Sequence, residues 1–212
     1  MKGNSQTSSK MCSGFEPLPR SFYLRPTLEV SPKLLGKLFV RLISNGMLVG
    51  RIVEVEAYCM DDPASHTFRG RTKRNDVMFW QGGHLYVYFT YGMHYCANVV
   101  TEREGIGEAV LIRAVEPIAG IETMIKNRFP SRAISLQILR QLTNGPAKFC
   151  EAFGLTKQHN GDDLVSSDSG IFITEDPSRQ RFSIAKSERI GIRNGKERLW
   201  RFFIKDSEWL SR

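Results

Sequence analysis

Ile52-Val53-Glu54-Val55-Glu56-Ala57-Tyr58 is a run of β-branched and aromatic residues interrupted at every second place by an acid. Successive side chains of a strand point to opposite faces, so Glu54 and Glu56 share one face while Val53, Val55 and Ala57 take the other. The same period recurs in Leu85-Tyr86-Val87-Tyr88-Phe89-Thr90, where Tyr86 and Tyr88 fall on one face. If the two strands lie in one sheet, Tyr58 and Tyr88 line one cavity, with His66 on the connection between them. Tyr91-Gly92-Met93 follows as a turn that leaves an aromatic ring available to a partner. Carboxylates, an imidazole and tyrosines within some forty residues suit a site that stacks a flat ring and handles a proton.

Outward from these strands the reading is of short elements. Residues 37–43 and 47–58 flank Asn45-Gly46, a dipeptide suited to the positive φ angles of a tight hairpin. Segments 84–90, 95–101 and 109–115 follow as an antiparallel meander. Upstream, Leu28, Leu34 and Leu35 have helical spacing, with Ser31 as cap and Pro32 in the first turn of a helix ending near Gly36. Pro117 is expected to end the meander. Helices are expected at 118–128, 133–142 and 146–153, the last with Pro146 in its first turn after Asn144-Gly145. Strands return at 170–174, 182–192 and 199–205, with a break at Asn194-Gly195. No repeat or linker divides the chain, so strands on both sides of the helices should share one sheet. The expected class is α+β: a single domain over residues 15–212 with a mostly antiparallel curved sheet and flanking helices, after a polar tail, residues 1–14, read as disordered.

The 212 residues suffice for one domain with a sizeable core. No apolar run approaches the roughly 20 residues that cross a bilayer, and the first residues lack the apolar middle of a signal peptide. An intracellular place, in cytoplasm, nucleoid or nucleus, and no membrane partner are the expectation. Cys12, Cys59, Cys96 and Cys150 form no CxxC pair, so reduced thiols are expected. The net charge of +8 favours a polyanionic partner. Basic residues gather at Arg69, Arg71, Lys73 and Arg74, and again at Arg181, Lys186, Arg189, Arg193, Lys196 and Arg198; the plainer alternative is a solvated face.

Glu56 is the candidate general base, because a carboxylate in a Val- and Ile-rich strand must find a partner or a water. Glu54 is its rival, and on these residues alone both could simply face solvent. Arg113, inside Ala109-Val110-Leu111-Ile112-Arg113-Ala114-Val115, is expected to pair with an acid. A contact with Glu56 would keep that carboxylate ionised and leave an oxygen for a water; a purely structural ion pair is the other reading. Cys59 with His66 lacks a second ligand pair, so no metal is expected. The HxE and PCxxC elements of zinc deaminases, the GxxxxGK phosphate loop and the GxGxxG fingerprint are all missing, and no cofactor is expected.

The segments RIVEVEAY, ASHTFRGRTKRN, LYVYFTYGMHYCANVV, AVLIRAVEP and NGPAKFCEAFGL, in this order, resemble the alkyladenine DNA glycosylases, also called 3-methyladenine DNA glycosylases of the mammalian type. The resemblance runs from about residue 24 to 209. It implies an enzyme that flips damaged purines, alkylated or deaminated, such as 3-methyladenine or hypoxanthine, out of duplex DNA. Such an enzyme hydrolyses the N-glycosidic bond without a metal and leaves an abasic site. By the same resemblance Glu56 activates the water, and Arg113 and the carbonyl of Ile190 help to hold it. Tyr58 stacks on one face of the extruded base, His66 and Tyr88 close the other, and Leu111 and Asn98 complete the pocket, Asn98 clashing with the exocyclic amine of guanine. Tyr91, with Met93, enters the duplex where the base has left, and Lys148 meets a phosphate. The implied partner is double-stranded DNA with damaged purines, met by a monomer without a small-molecule cofactor. A catalytically silent nucleic-acid-binding module on the same scaffold is the alternative, and a glycosidase of free nucleosides a remote third.

Overall fold

Two hairpin strands, β1 (Leu38–Ile43) and β2 (Gly46–Tyr58), form the middle of the sheet in the computed structural model, which describes residues 15–130 and 135–211. The turn between them is Ser44-Asn45, one residue earlier than the sequence suggests, and Gly46 alone carries the positive φ, at 138°. The meander follows as β3 (Leu85–Thr90), β4 (His94–Val100) and β5 (Ala109–Ala119), and β6 (Ile171–Thr174), β7 (Ile184–Ser187) and β8 (Arg201–Ile204) come after the helices. The strand order is β3-β4-β5-β2-β1-β6, with β8 on β2 and β7 on β8, all antiparallel. The sheet curls into half a barrel. Strands before and after the helices thus share one sheet, as expected.

β2 has neighbours on both edges along nearly its whole length. β5 takes one edge, while β1 pairs with its first half and β8 with Glu54, Val55 and Glu56 on the other edge. The β2–β5 ladder is broken twice in succession. Val53 is an extra residue between Ile52↔Val115 and Glu54↔Ala114, and Arg113 is an extra residue between Glu54↔Ala114 and Val55↔Ile112. A bulge re-aims the side chain at its site. Because Glu56 stands opposite Leu111, the alternation of β5 already puts Arg113 on the face of Glu54 and Glu56, and the paired bulges turn Ile52 and Val115 to the apolar face beside Val55 and Ile112.

The helices are α1 (Arg20–Tyr23), α2 (Thr27–Leu34), α3 (Ile121–Arg128), α4 (Leu136–Arg140) and α5 (Pro146–Ala152). On the apolar face of the sheet, Ile52, Val55, Val99, Ile112 and Val115 pack with Val30 and Leu34 of α2, Met124 of α3 and Phe149 of α5. Phe39 meets Phe149 and Phe153 edge-on at 5.0 and 5.4 Å. Each such buried side chain contributes roughly 1.5–3 kcal/mol before entropy is counted. On the opposite face Ile190, Arg201 and Ser211 reach the two acids of β2. Both acids of β2 are therefore inaccessible, against the solvent-facing alternative.

Four expectations about boundaries are corrected. α2 begins at Thr27, so Ser31 is no cap; its hydroxyl bonds back to the Thr27 carbonyl at 2.7 Å. Pro32 sits inside the helix, where it removes an N–H from the ladder but only for the carbonyl of Leu28, a residue exposed to water. β5 runs past Pro117, which is accommodated because the ladder shifts register opposite it, between Val49 and Gly50. The 182–192 strand shrinks to β7, since the chain from 188 onward turns inward to cover the sheet. Residues 1–14 and part of the 133–142 helix lie outside the described residues; what is described of the latter is α4, capped by Ser135.

Candidate active site

A cavity of about 340 Å³ opens on the polar side of the sheet, in the size range of small-molecule sites. Tyr58 from the end of β2, Tyr88 from β3, Asn98 from β4, Leu111 and Arg113 from β5, and His66 from the loop after β2 line it. The expected meeting of Tyr58 and Tyr88 in one cavity is therefore found.

The two acids part company in their surroundings. The Glu54 carboxylate accepts from Arg113 Nε at 3.0 Å, Arg201 Nε at 2.7 Å, and Ser211 N and Oγ at 2.6 and 2.7 Å. Its lone pairs are consumed by structure, and it lies away from the cavity wall. Glu56 Oε1 accepts the Ile190 N–H at 2.7 Å and faces an Arg113 terminal nitrogen at 3.2 Å, while Oε2 accepts the Tyr58 hydroxyl at 2.9 Å. Glu56 itself is fully buried and stands just behind the lining, yet all three of its partners line the cavity. Arg113 is thus a bridge between both acids rather than the partner of Glu56 alone.

The aromatic wall is held by contacts among its members. The Tyr86 and Tyr88 rings stack at 5.4 Å with 24° between planes, and His66 stands edge-on to Tyr88 at 4.5 Å. His66 Nδ1 is 3.0 Å from the Tyr86 hydroxyl. Burial, with the nearby Arg74 charge, holds the His66 imidazole below its ordinary range, so it is neutral at neutral pH. Burial pushes the Tyr86 phenol up to about 12 and those of Tyr58 and Tyr88 higher than usual, the last two aided by Glu56 and by Cys96 respectively. All three phenols therefore stay protonated and serve as donors or stacking surfaces. The Asn98 amide donates to the Tyr86 carbonyl at 3.2 Å, and His66's own carbonyl accepts from Asn75.

At the rim the β3–β4 hairpin carries Tyr91 and Met93, 84% and 69% exposed, extreme values for apolar side chains. Tyr91 has φ 51° and Gly92 φ 69°, two consecutive left-handed residues that hold the tip in a tight turn beside the cavity mouth. Across the mouth Pro146 opens α5, on which Lys148 bonds Asn144 Oδ1 at 2.8 Å. Arg69, Arg71, Lys73 and Arg74 are exposed, as are Arg181, Lys186, Arg193 and Lys196. Arg189 is not part of that surface. It is buried against Asp62, because its two terminal nitrogens find the carboxylate and two carbonyls, while Nε has no hydrogen-bond partner.

The sequence reading missed three parts of the site. The Ile190 backbone N–H donates to Glu56, Asp62 and Arg189 form a buried pair behind Tyr58, and Arg201 and Ser211 complete the Glu54 cluster. Only the excess of arginine in a stretch that also carries Trp200 and Leu199 hinted at burial; backbone donors leave no trace in composition. Cys59, Cys96 and Cys150 are free buried thiols, and Cys12 lies outside the described residues. Among the described residues no group of His, Cys, Asp and Glu is placed to hold a metal ion, and no helix is long and apolar enough to cross a membrane.

Comparison with known proteins finds the same site-bearing stretch elsewhere. The sequence profile of the methylpurine-DNA glycosylase family matches residues 21–208. A protein of Francisella tularensis subsp. tularensis (strain WY96-3418), named "Putative 3-methyladenine DNA glycosylase", is 46% identical over 187 residues, covering 88% of this chain and 94% of that one. Proteins with the same name from Carboxydothermus hydrogenoformans and Alkaliphilus oremlandii are 45% and 44% identical, each covering 92% of this chain and 98% of the relative.

Proposed function

Because this chain belongs to the methylpurine-DNA glycosylase family, we propose that it removes alkylated and deaminated purines from duplex DNA by hydrolysis, with Glu56 as the base that activates water. The observation that carries the reading is one carboxylate joined to three lining residues, Tyr58, Arg113 and Ile190, at the back of an aromatic cavity.

The chemistry follows from the charges. A carboxylate held by a guanidinium, an amide N–H and a phenol remains an acceptor, and Oε2, with one donor, keeps a lone pair for a water at the wall. The Ile190 carbonyl is the further acceptor assigned to that water. An alkylated, cationic purine is a good leaving group, so positioning and deprotonating the nucleophile supply most of what the reaction needs. Tyr58 on one side and His66 with Tyr88 on the other stack on the extruded ring, at roughly 1–3 kcal/mol per contact, offsetting the few kcal/mol that unstacking costs. Asn98 and Leu111 shape the floor, where the Asn98 amide excludes a purine with a 2-amino group. Among the described residues no lysine lines the cavity, so a Schiff base to the sugar has no donor among them, and the product is an abasic site on an uncut strand. Release of free base from duplexes carrying 3-methyladenine, 7-methylguanine or hypoxanthine, without strand cleavage, tests the reading; no release from any of them refutes it.

Tyr91 and Met93 fill the gap left by the base. Tyr91→Ala is expected to slow excision from intact duplex about tenfold or more while changing little on DNA already opened at the lesion; equal losses on both would make Tyr91 ordinary packing. Lys148 and the exposed arginines meet phosphates. With several such contacts, log affinity falls linearly with log salt at a slope near −0.9 per neutralised phosphate. A flat profile in a salt titration of duplex binding would remove the DNA interface.

A further inference from the structure

Residues 188–200, between β7 and β8, contain no helix or strand, yet they supply Ile190, Gly191 and Ile192 to the cavity. The far end of this segment is tied to β2, where the Trp200 carbonyl accepts from Ala57 N at 2.9 Å, and to Asp61 through Arg198; the part that reaches the cavity has one buried side chain as its fixture. The Arg189 guanidinium grips both oxygens of Asp62, one at 3.0 Å, and donates to the carbonyls of Ala57 at 2.9 Å and Gly195 at 3.2 Å. It lies over the Tyr58 ring at 4.8 Å and the Trp200 ring at 5.3 Å. Both members of the pair are wholly excluded from solvent. Asp62 in turn folds its own loop, its carboxylate accepting from Ala64 N at 3.1 Å and its carbonyl accepting from Ser65 N at 2.8 Å, directly before His66.

We propose that the Arg189–Asp62 pair is the positioning device of the hydrolytic centre, fixing the Ile190 N–H on Glu56 and the back of the Tyr58 ring in a single grip. The inference rests on the catalytic reading of Glu56. The residue after Arg189 is the one whose amide meets Glu56 at 2.7 Å, so a slip of the guanidinium moves that amide directly. Tyr58 is held from behind by the cation and at its hydroxyl by Glu56, so the stacking surface and the base are set relative to each other by one group. A purely structural ion pair needs only charge. This one uses the planar fork of an arginine on two carbonyls and two rings, which a lysine ammonium cannot reproduce.

The test compares Arg189→Lys and Arg189→Met with Arg51→Met, which breaks a buried arginine cluster with Glu116 and Asp176 remote from the cavity. Melting temperature, affinity for lesion duplex on a sugar that resists hydrolysis, and single-turnover excision are measured for each, well below melting. All three variants should melt earlier. Only the Arg189 variants should lose excision rate, by about 10²-fold, the scale of an ångström's misplacement at a reacting centre, with affinity within about threefold of wild type. Should Arg189→Met not fold, Arg189→Lys decides. Full rate in Arg189→Lys, or a loss no larger than that of Arg51→Met, overturns the proposal while leaving Glu56 in its role. A wild-type protein that releases no base overturns the catalytic reading itself.

Discussion

Glu56→Gln is expected to bind lesion duplex as the wild type does and to release base about 10²–10⁴-fold more slowly, the range that a positioned general base contributes. The substitution preserves volume. Its amide oxygen can still accept the Ile190 N–H, and Arg113 keeps Glu54 as partner, so the wall survives while the base is lost. Glu54 offers no substitute, since Arg113, Arg201 and Ser211 already occupy it. Single-turnover excision of a methylated purine, followed beside equilibrium binding, checks this. Equal rates for the two proteins would take Glu56 out of the reaction.

Arg113→Leu should be the most damaging single change to stability. The buried cluster holds two carboxylates, Glu54 and Glu56, and two guanidiniums, Arg113 and Arg201, and is balanced. Removing Arg113 leaves one negative charge in excess with no water to solvate it. Breaking a buried pair in this way costs about 3–5 kcal/mol, which in a domain of this size lowers the melting temperature by roughly 6–20 °C. Excision should vanish with it, because Glu56 loses its cation. Thermal unfolding is the measure; a melting temperature within 2 °C or so of wild type would show that Glu54 and Glu56 do not depend on Arg113 for burial.

Much of this arrangement could be read from the residues before any coordinates. The period-two patterns of β2 and β3 placed Tyr58, Tyr86 and Tyr88 correctly, and Asn45-Gly46 located the first hairpin to within one residue, because strand alternation and glycine conformations are local properties. What is not local was invisible. The paired bulges at Val53 and Arg113 arise only when two strands meet, so alternation alone gives no reason for Ile52 and Val115 to join the apolar face. The burial of Glu54 and Glu56, which the residues alone leave open, is non-local in the same way: Ile190, Arg201 and Ser211, 134, 147 and 157 positions further on, complete their surroundings. Arg189 was counted with the surface cations because composition cannot distinguish a guanidinium that finds carbonyls from one that finds water. Family resemblance carried the names of the site residues; contacts such as Ile190 N–H to Glu56 came from the fold.

The bond from Ser211 to Glu54 spans 157 positions of sequence. Contacts so distant along a chain form late, since loop closure must be met before they reward it. During synthesis, therefore, the acidic strand emerges long before its last hydrogen-bond donors leave the ribosome. Until then its two carboxylates have no complete shell and must stay hydrated, which keeps β2 from settling into a dry interior. Completion of the shell around Glu54 thus waits for the end of the fold, and on the proposed reading of Glu56 a partly folded chain would lack a competent site.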